Sequence, residues 1–311
     1  MRPTLRQLEY LVAVADTGRF GLAADRLNVS QPSLSAQIAD VETELGARLF
    51  LRGRNGATLT ATGTDVVQRA RRILNDVEDL RAAIHGNGIF EGRLRFGVLP
   101  TIGPYLLPNI VRHLHRSHPE FRLVVREEST SDLEQGLNSG RLDMVISTIE
   151  DHPGTHADPL FEEDLWAAVA RDDPLAEQSG PLPIDHLANR TLLTLGLRHR
   201  LARIVAVLAA QCGGLMSDDY EGTSLDAIRL MAAAGAGVAI LPRLYVATEA
   251  VRRSDIVLRR IDHPLARRQL ALIQPSGPSP RPGSDMLARA LTQEADALMG
   301  PPGAPLPSRQ M

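Results

Sequence analysis

The sequence contains no lysine, so all 34 of its Lys+Arg side chains are arginines. Histidines aside, every cationic site is therefore built from the planar guanidinium fork, which matches carboxylate and phosphate and stays charged at ordinary pH. The single cysteine, Cys212, excludes an intrachain disulfide framework and any cysteine-rich zinc module. It also fits a reducing compartment, so a cytoplasmic location is expected. Long apolar runs are missing too. The longest uncharged apolar stretch, Met231 to Pro242, is Gly-rich and far short of the roughly 20 residues of a membrane span. Arg6 and Glu9 break the N-terminal stretch before an apolar signal segment forms. No Walker sequence, Gly-rich nucleotide fingerprint, HExxH or GxSxG is present, so no catalytic residue, cofactor or metal site is expected. His115 and His118 share a helical face, but without a further ligand they read as solvated. With 37 acidic side chains the formal charge is −3, which neither announces nor excludes a nucleic-acid partner.

What is present reads as a globular chain of about two domains plus smaller parts. Residues 4–50 carry three short apolar-faced segments. Leu5, Leu8, Val12 and Ala15 share one helical face, Ala23, Ala24 and Leu27 a second, and Leu34, Ile38, Val41 and Leu45 a third. Asn28-Val29-Ser30 breaks the second from the third; Ser30 is a good N-cap, and Pro32 falls in the first helical turn, where its missing N–H costs little. Two short helices across a three-residue turn predict a helix-turn-helix. The third helix exposes Gln31, Pro32, Ser33, Ser35, Ala36, Gln37 and Asp40, with no large apolar group to block a major groove. Gln31, Ser33 and Gln37 are the expected base readers. Arg48, Arg52 and Arg54, interleaved with Gly53, Asn55 and Gly56, form a turn-rich wing expected, with Ser30, to contact phosphates. Residues 1–60 hold seven arginines against six acids, a net charge of only +1.

From Thr60 the pattern changes. Val66, Ala70, Ile73, Val77, Leu80 and Ile84 recur at spacings of 4, 3, 4, 3 and 4, a heptad seam with a charged outer face that stops at His85-Gly86-Asn87-Gly88. A helix pairing with a second copy of the chain is the expectation. After Gly92, strand and helix signals alternate through Leu270–Ile273, which predicts an open, mainly parallel α/β sheet long enough for two lobes. A last helix near Met286–Met299 precedes a loose Pro-rich tail.

The segment Ala23-Ala24 through Gly63, with Val29-Ser30-Gln31-Pro32-Ser33-Leu34-Ser35, Glu42, Leu45-Gly46, Leu49-Phe50 and Leu59-Thr60, resembles the winged helix-turn-helix of LysR-type transcriptional regulators. The resemblance implies an α/β regulator with a winged helix-turn-helix at 1–59, a linker helix at 60–89 and a two-lobed, periplasmic-binding-protein-like (type II) effector domain at 90–300. Lobe I would hold about 90–161 and 266–300, lobe II about 162–265, and 301–311 the tail. It further implies homodimers or homotetramers on double-stranded promoter DNA, a small effector, and room for contact with RNA polymerase.

Within that family, GVLPTIGPYLLPNIVRHLHRSHPEFRLVVREESTSDLEQGLNSGRLDMVIS and GTSLDAIRLMAAAGAGVAILP look most like the branch of OxyR-like peroxide sensors, which pair a peroxide-reactive cysteine with a second. Here His199 is retained, but Arg200 stands where the reactive cysteine would be. Cys212 has no second cysteine to join, so an intramolecular dithiol is ruled out by count. An inert thiol and a sulfenic acid or intersubunit bond remain the alternatives.

Without that switch, the interlobe cleft becomes the expected input site. Open α/β sheets bind ligands beyond their strands' carboxyl ends. Thr101, Ser129, Thr130, Ser147, Thr148, Thr223 and Ser224 fall at such places, although each alone also reads as a helix cap. Arg198-His199-Arg200 and Arg203 open a helix with cations, at the end where its dipole disfavours them. They are expected either to receive a carboxylate or other anionic effector, together with His199, or to pair with Asp218, Asp219 or Glu221.

Overall fold

The computed structural model describes residues 3–53, 56–85, 93–119, 121–218, 222, 224–277 and 280–300. Arg54, Thr223, Asp219 and Glu221 lie outside the described residues, as does the side chain of Ile84. The chain divides into two compact units: Met1–Arg93 with Gln135–Leu142, and Leu94–Glu134 with Asp143–Met311.

The first unit contains α1 (Leu5–Thr17), α2 (Phe20–Arg26), α3 (Gln31–Leu45), strands β1 (Phe50–Gly53) and β2 (Gly56–Leu59), and α4 (Ala61–His85). A capping box between Thr4 and Gln7 starts α1, and Gly18, at φ 64°, ends it. Its core joins Leu8, Leu11 and Val14 of α1, Ala23 and Ala24 of α2, and Leu34, Ile38 and Val41 of α3 to Leu49, Phe50, Val67 and Ala70. Leu5 and Leu45, expected on the buried stripes, are exposed because each sits at a helix end, past the point where the helices cross. Leu27 follows α2 as its C-cap, and Asn28 takes the left-handed φ of 54° that turns the chain into α3.

Glu42 of α3 accepts the N–H groups of Leu49 (2.6 Å) and Phe50 (3.1 Å), fixing where β1 begins. The Thr60 hydroxyl donates to the Arg48 carbonyl and accepts the Gly63 N–H, both at 2.8 Å, tying the start of α4 to the base of the wing. A Cβ at Gly63 would lie 2.0 Å from the Leu49 carbonyl oxygen, so this close approach needs glycine. Glu42, Leu49, Thr60 and Gly63 thus form one structural joint.

The heptad expectation for α4 needs correction. Ala70 is buried and Val66 packs, with Val67 and Leu74, on the unit's own core. One face of α4 therefore completes the N-terminal unit. Ile73 and Leu80, 45% and 63% exposed, lie outside that packing.

The second unit comprises β3 (Arg93–Val98), α5 (Gly103–Ser117), β4 (Arg122–Glu127), α6 (Thr130–Asn138), β5 (Met144–Thr148), β6 (Thr155–Ala170), β7 (Leu182–Pro183), β8 (Thr191–Leu193), α7 (Arg200–Cys212), β9 (Leu215–Met216), α8 (Leu225–Ala233), β10 (Val238–Pro242), α9 (Arg243–Thr248), β11 (Ile256–Asp262), β12 (Arg267–Pro275) and α10 (Ser284–Met299). Arg93 at the start of β3 and the second half of α6 fall within the boundaries of the first unit. Strand order is β4-β3-β5-β12-β6-β10-β8-β9, with β11 beside β6 and β7.

The long strand β6 belongs to two lobes, pairing with β12 through residues 155–164 and with β10 and β11 through 165–170. The sheet is mixed, where a mainly parallel one was expected. The pairs β3–β5, β10–β8 and β8–β9 are parallel, as strand–helix–strand crossovers require, whereas β12 runs antiparallel to both β5 and β6. The lobe containing β8 and β10 has its own core of Leu192, Leu193, Val205, Leu208, Ile228, Val238 and Ile240.

Candidate DNA-reading and effector sites

Ser30 caps α3, its hydroxyl accepting the Ser33 N–H at 3.3 Å. Gln31, Pro32 and Ser33 are exposed, Ser35 is half-buried, and all four lie on α3 away from Leu34, Ile38 and Val41. Gln37 is half-buried and accepts a hydrogen bond from Gln7 of α1 (3.2 Å), so its amide is already oriented within the unit. Arg48 and Arg52 are exposed. The wing strands pair antiparallel from Phe50↔Leu59 to Gly53↔Gly56, and the Ala57 N–H donates to Gly18 at 2.7 Å. The wing is thereby pinned beside the loop that starts α2, and an open cleft of about 560 Å³ lies between wing and α3, lined by Arg19, Phe20, Gln31, Ser35 and Arg52.

In the regulatory unit the predicted hydroxyls divide into two kinds. Ser129 and Ser224 are helix caps: Ser129 accepts the Asp132 N–H at 3.3 Å, and Ser224 accepts that of Ala227 at 3.3 Å. Thr101, Thr130 and Ser147 are buried. Thr101 accepts a hydrogen bond from the buried Arg268 (2.9 Å), which also binds Glu163 at 2.7 Å. The other Glu163 oxygen accepts the Leu244 N–H at 2.9 Å, so this buried charge pair is well satisfied. Thr130, at the start of α6, accepts the Arg200 N–H at the first turn of α7 (3.0 Å). The Ser147 hydroxyl is fully buried without a partner.

The cations that open α7 take acids from other elements rather than Asp218. Arg198 pairs with Asp132, while Arg203 and Arg200 reach the same Asp151 oxygen at 2.6 and 3.5 Å. Arg200 also approaches Glu150 at 3.9 Å, and its Nε is buried without a hydrogen-bond partner. Asp151, just past β5 and 7% exposed at its side chain, also accepts the Thr148 hydroxyl. These acids were missed from sequence, although Glu150-Asp151 lies one residue beyond the Ser147-Thr148 pair that marked the strand end.

Arg200, Arg203, Arg267 and Arg268 border a cavity of about 260 Å³, with Thr148 and Glu150 beside them and Ile204, Val207, Pro264 and Leu265 as its apolar wall. His199, buried as the N-cap of α7, has its pKa pushed down by desolvation and by neighbouring Arg198, against the opposing pull of Asp132. His152 is shifted the same way by burial, with neither ring nitrogen hydrogen-bonded. Cys212, half-buried at the end of α7, is free.

Among the described residues no cluster of His, Cys, Asp and Glu suits a metal ion, and no helix is long and apolar enough to cross a membrane.

Comparison with known proteins agrees with this arrangement. Residues 5–64 match the bacterial regulatory helix-turn-helix protein, lysR family, and residues 87–296 match the LysR substrate binding domain. The chain is 35% identical to the DNA-binding transcriptional dual regulator OxyR of Escherichia coli K12 over 294 residues, covering 94% of this chain and 96% of that one. Full-length OxyR from Pseudomonas aeruginosa, solved as a cysteine-to-aspartate variant, superposes with a TM-score of 0.74 at 28% identity, covering 96% of each chain. Full-length CbnR complexed with its target DNA gives 0.61 at 26% identity, covering 94% of this chain and 99% of that one. The chain belongs to the LysR family of DNA-binding transcription regulators.

Proposed function

We propose that this regulator is switched by a small anionic effector bound where α7 faces the end of β5, and not by an intramolecular dithiol. The observation that carries the reading is the cavity bordered by Arg200, Arg203, Arg267 and Arg268. Arg200 and Arg203 share one Asp151 oxygen, which an incoming carboxylate would replace by charge-assisted hydrogen bonds, while Arg267, paired with Glu162 and Asp164, and Arg268, paired with Glu163, add positive charge beside it. The apolar wall of Ile204 and Val207 suits the rest of a small organic acid. Thr148 lines this region, Thr101 and Thr130 brace Arg268 and Arg200, and His199 precedes Arg200 at the start of α7. An anion that displaces Asp151 from Arg203 would change what ties α7 to β5, and so shift the population between two assemblies on DNA. Base edges are read by Gln31, Ser33 and Gln37, flanked by Pro32 and Ser35, with Ser30, Arg52 and Arg54 on phosphates. Copies associate through the face of α4 carrying Ile73, Val77 and Leu80, and the assembly works in the cytoplasm.

The test is a thermal-shift titration of the full chain with a panel of small carboxylates, followed by gel shifts on its own upstream region. Arg200→Ala and Arg203→Ala should lose the ligand response while keeping DNA affinity; an undiminished response in both removes the reading. A second reading, peroxide sensing through Cys212, draws on the resemblance to OxyR and on the half-exposed thiol. A peroxide response of the promoter that persists in Cys212→Ser would sink it.

A further inference from the structure

Three acids of the N-terminal unit are paired with arginines other than Arg19 and Arg52. Glu9 pairs with Arg6, Asp16 with both Arg26 and Arg71, and Asp65 with Arg69. Among the described residues, Arg19 and Arg52 have no acidic partner, and both line the cleft between the wing and α3. Uncompensated guanidinium groups facing one open cleft, beside the positive end of the α3 dipole at Gln31, form an anion-binding surface.

Neither arginine is loose. The Arg52 guanidinium carbon lies 4.5 Å from the centroid of the Phe20 ring. Phe20 is itself held edge-on against buried Phe50, with centroids 6.0 Å apart and planes at 68°. Phe50 and Arg52 are two residues apart on β1, so they share a strand face, and Phe20 contacts both. Stacking occupies the face of the guanidinium and leaves its N–H edge free for an oxygen. Arg19 is the N-cap of α2, and a Cβ on Gly56 would stand 2.4 Å from the Gly18 carbonyl oxygen, so glycine there lets the wing approach the loop that carries Arg19.

We propose that Arg19 and Arg52 grip the phosphate backbone of duplex DNA across this cleft, and that Phe20 is a positioning residue that presents Arg52 without itself touching the DNA. The inference rests on the reading of Arg52 as a phosphate contact, to which it adds Arg19 and Phe20, and it is independent of what ligand the regulatory unit takes.

The experiment measures binding of the full chain to random-sequence duplex DNA by fluorescence anisotropy over a salt series. Arg19→Gln and Arg52→Gln should each flatten the slope of log affinity against log salt by about 0.9. Phe20→Leu should weaken binding about two- to fivefold, and Arg52→Gln should then lose less than it does beside Phe20. Phe20→Tyr, which keeps the ring, should bind like the parent. Should Phe20→Leu lower the unfolding midpoint, Arg52→Lys supplies the same test: it keeps the charge and the slope but loses affinity with the stacked orientation. Unchanged slopes in both glutamine variants overturn the phosphate grip. Losses from Phe20→Leu and Arg52→Gln that simply multiply overturn the positioning role.

Discussion

Replacing Asp151 by asparagine tests the proposed effector site with the opposite sign from removing its arginines. The substitution is isosteric, and an amide oxygen can still accept from Thr148, but the anion shared by Arg200 and Arg203 disappears. Arg203 is 49% exposed at its side chain and Asp151 only 7%, so the pair lies between a screened surface bridge and a buried one. A charge-assisted bond of this kind, partly screened by solvent, contributes about 1–2 kcal/mol, between the values for neutral bonds and for fully buried bonds to charged groups. A carboxylate ligand must displace Asp151 from those forks to bind. Removing the competitor should therefore raise its affinity by a factor of about 5–30, the equilibrium equivalent of that energy. The assay is the carboxylate titration followed by calorimetry, in parent, Asp151→Asn, Arg203→Ala and the double variant. The reasoning predicts tighter binding in the first variant, weaker in the second, and no benefit from Asp151→Asn once Arg203 is gone. Equal affinities in parent and Asp151→Asn would refute the idea that Asp151 occupies the ligand's place.

Three further outcomes follow from geometry elsewhere. Gly63→Ala places a Cβ against the Leu49 carbonyl and should destabilise the N-terminal unit by about 1–3 kcal/mol, read as a lowered denaturation midpoint together with weakened DNA binding. Glu42→Ala leaves the Leu49 and Phe50 N–H groups without their carboxylate and should cost about 1–3 kcal/mol in the same measurement. His152 and His199 both have pKa values below the ordinary histidine value, so in that interval the unfolded chain binds more protons than the folded one. Stability should therefore rise with pH through the interval and be lost as pH falls below about 6.5; denaturant titrations across that range should show it, and His152→Leu should reduce the slope.

The DNA-reading helices were legible in the sequence because their signals are local. Ser30 caps the helix that begins one residue later, and apolar spacing marked Leu34, Ile38 and Val41 as buried. Periodicity alone could not say which neighbour an apolar residue meets. Ala70 fits a heptad seam equally well as a contact for α1 and as a contact for a second chain. The first part of β6 carries Asp158-Pro159 and the consecutive acids Glu162-Glu163-Asp164, a poor local strand signal; it is a strand because β12, about 100 residues later, pairs with it. The β11 strand was missed for the same reason, its pairing with β6 being equally distant in sequence. At the proposed effector site the cations were visible but their acids were sought nearby in sequence, at Asp218. Asp151 reaches Arg203 only because the end of β5 and the first turns of α7 are brought together in space.

The ion pairs that hold the first turns of α7 to Asp151, just past β5, use guanidinium groups, in a chain that has no ammonium side chain to offer. An ammonium in this place could be neutralised by burial or capped by acetylation, and the contact would then answer to acidity or to acyl donors. Arginine removes both inputs, since its charge persists at every pH a living cell reaches. The contact is left open to competition from another anion, and under the proposed function it would act as a concentration gauge rather than a proton gauge.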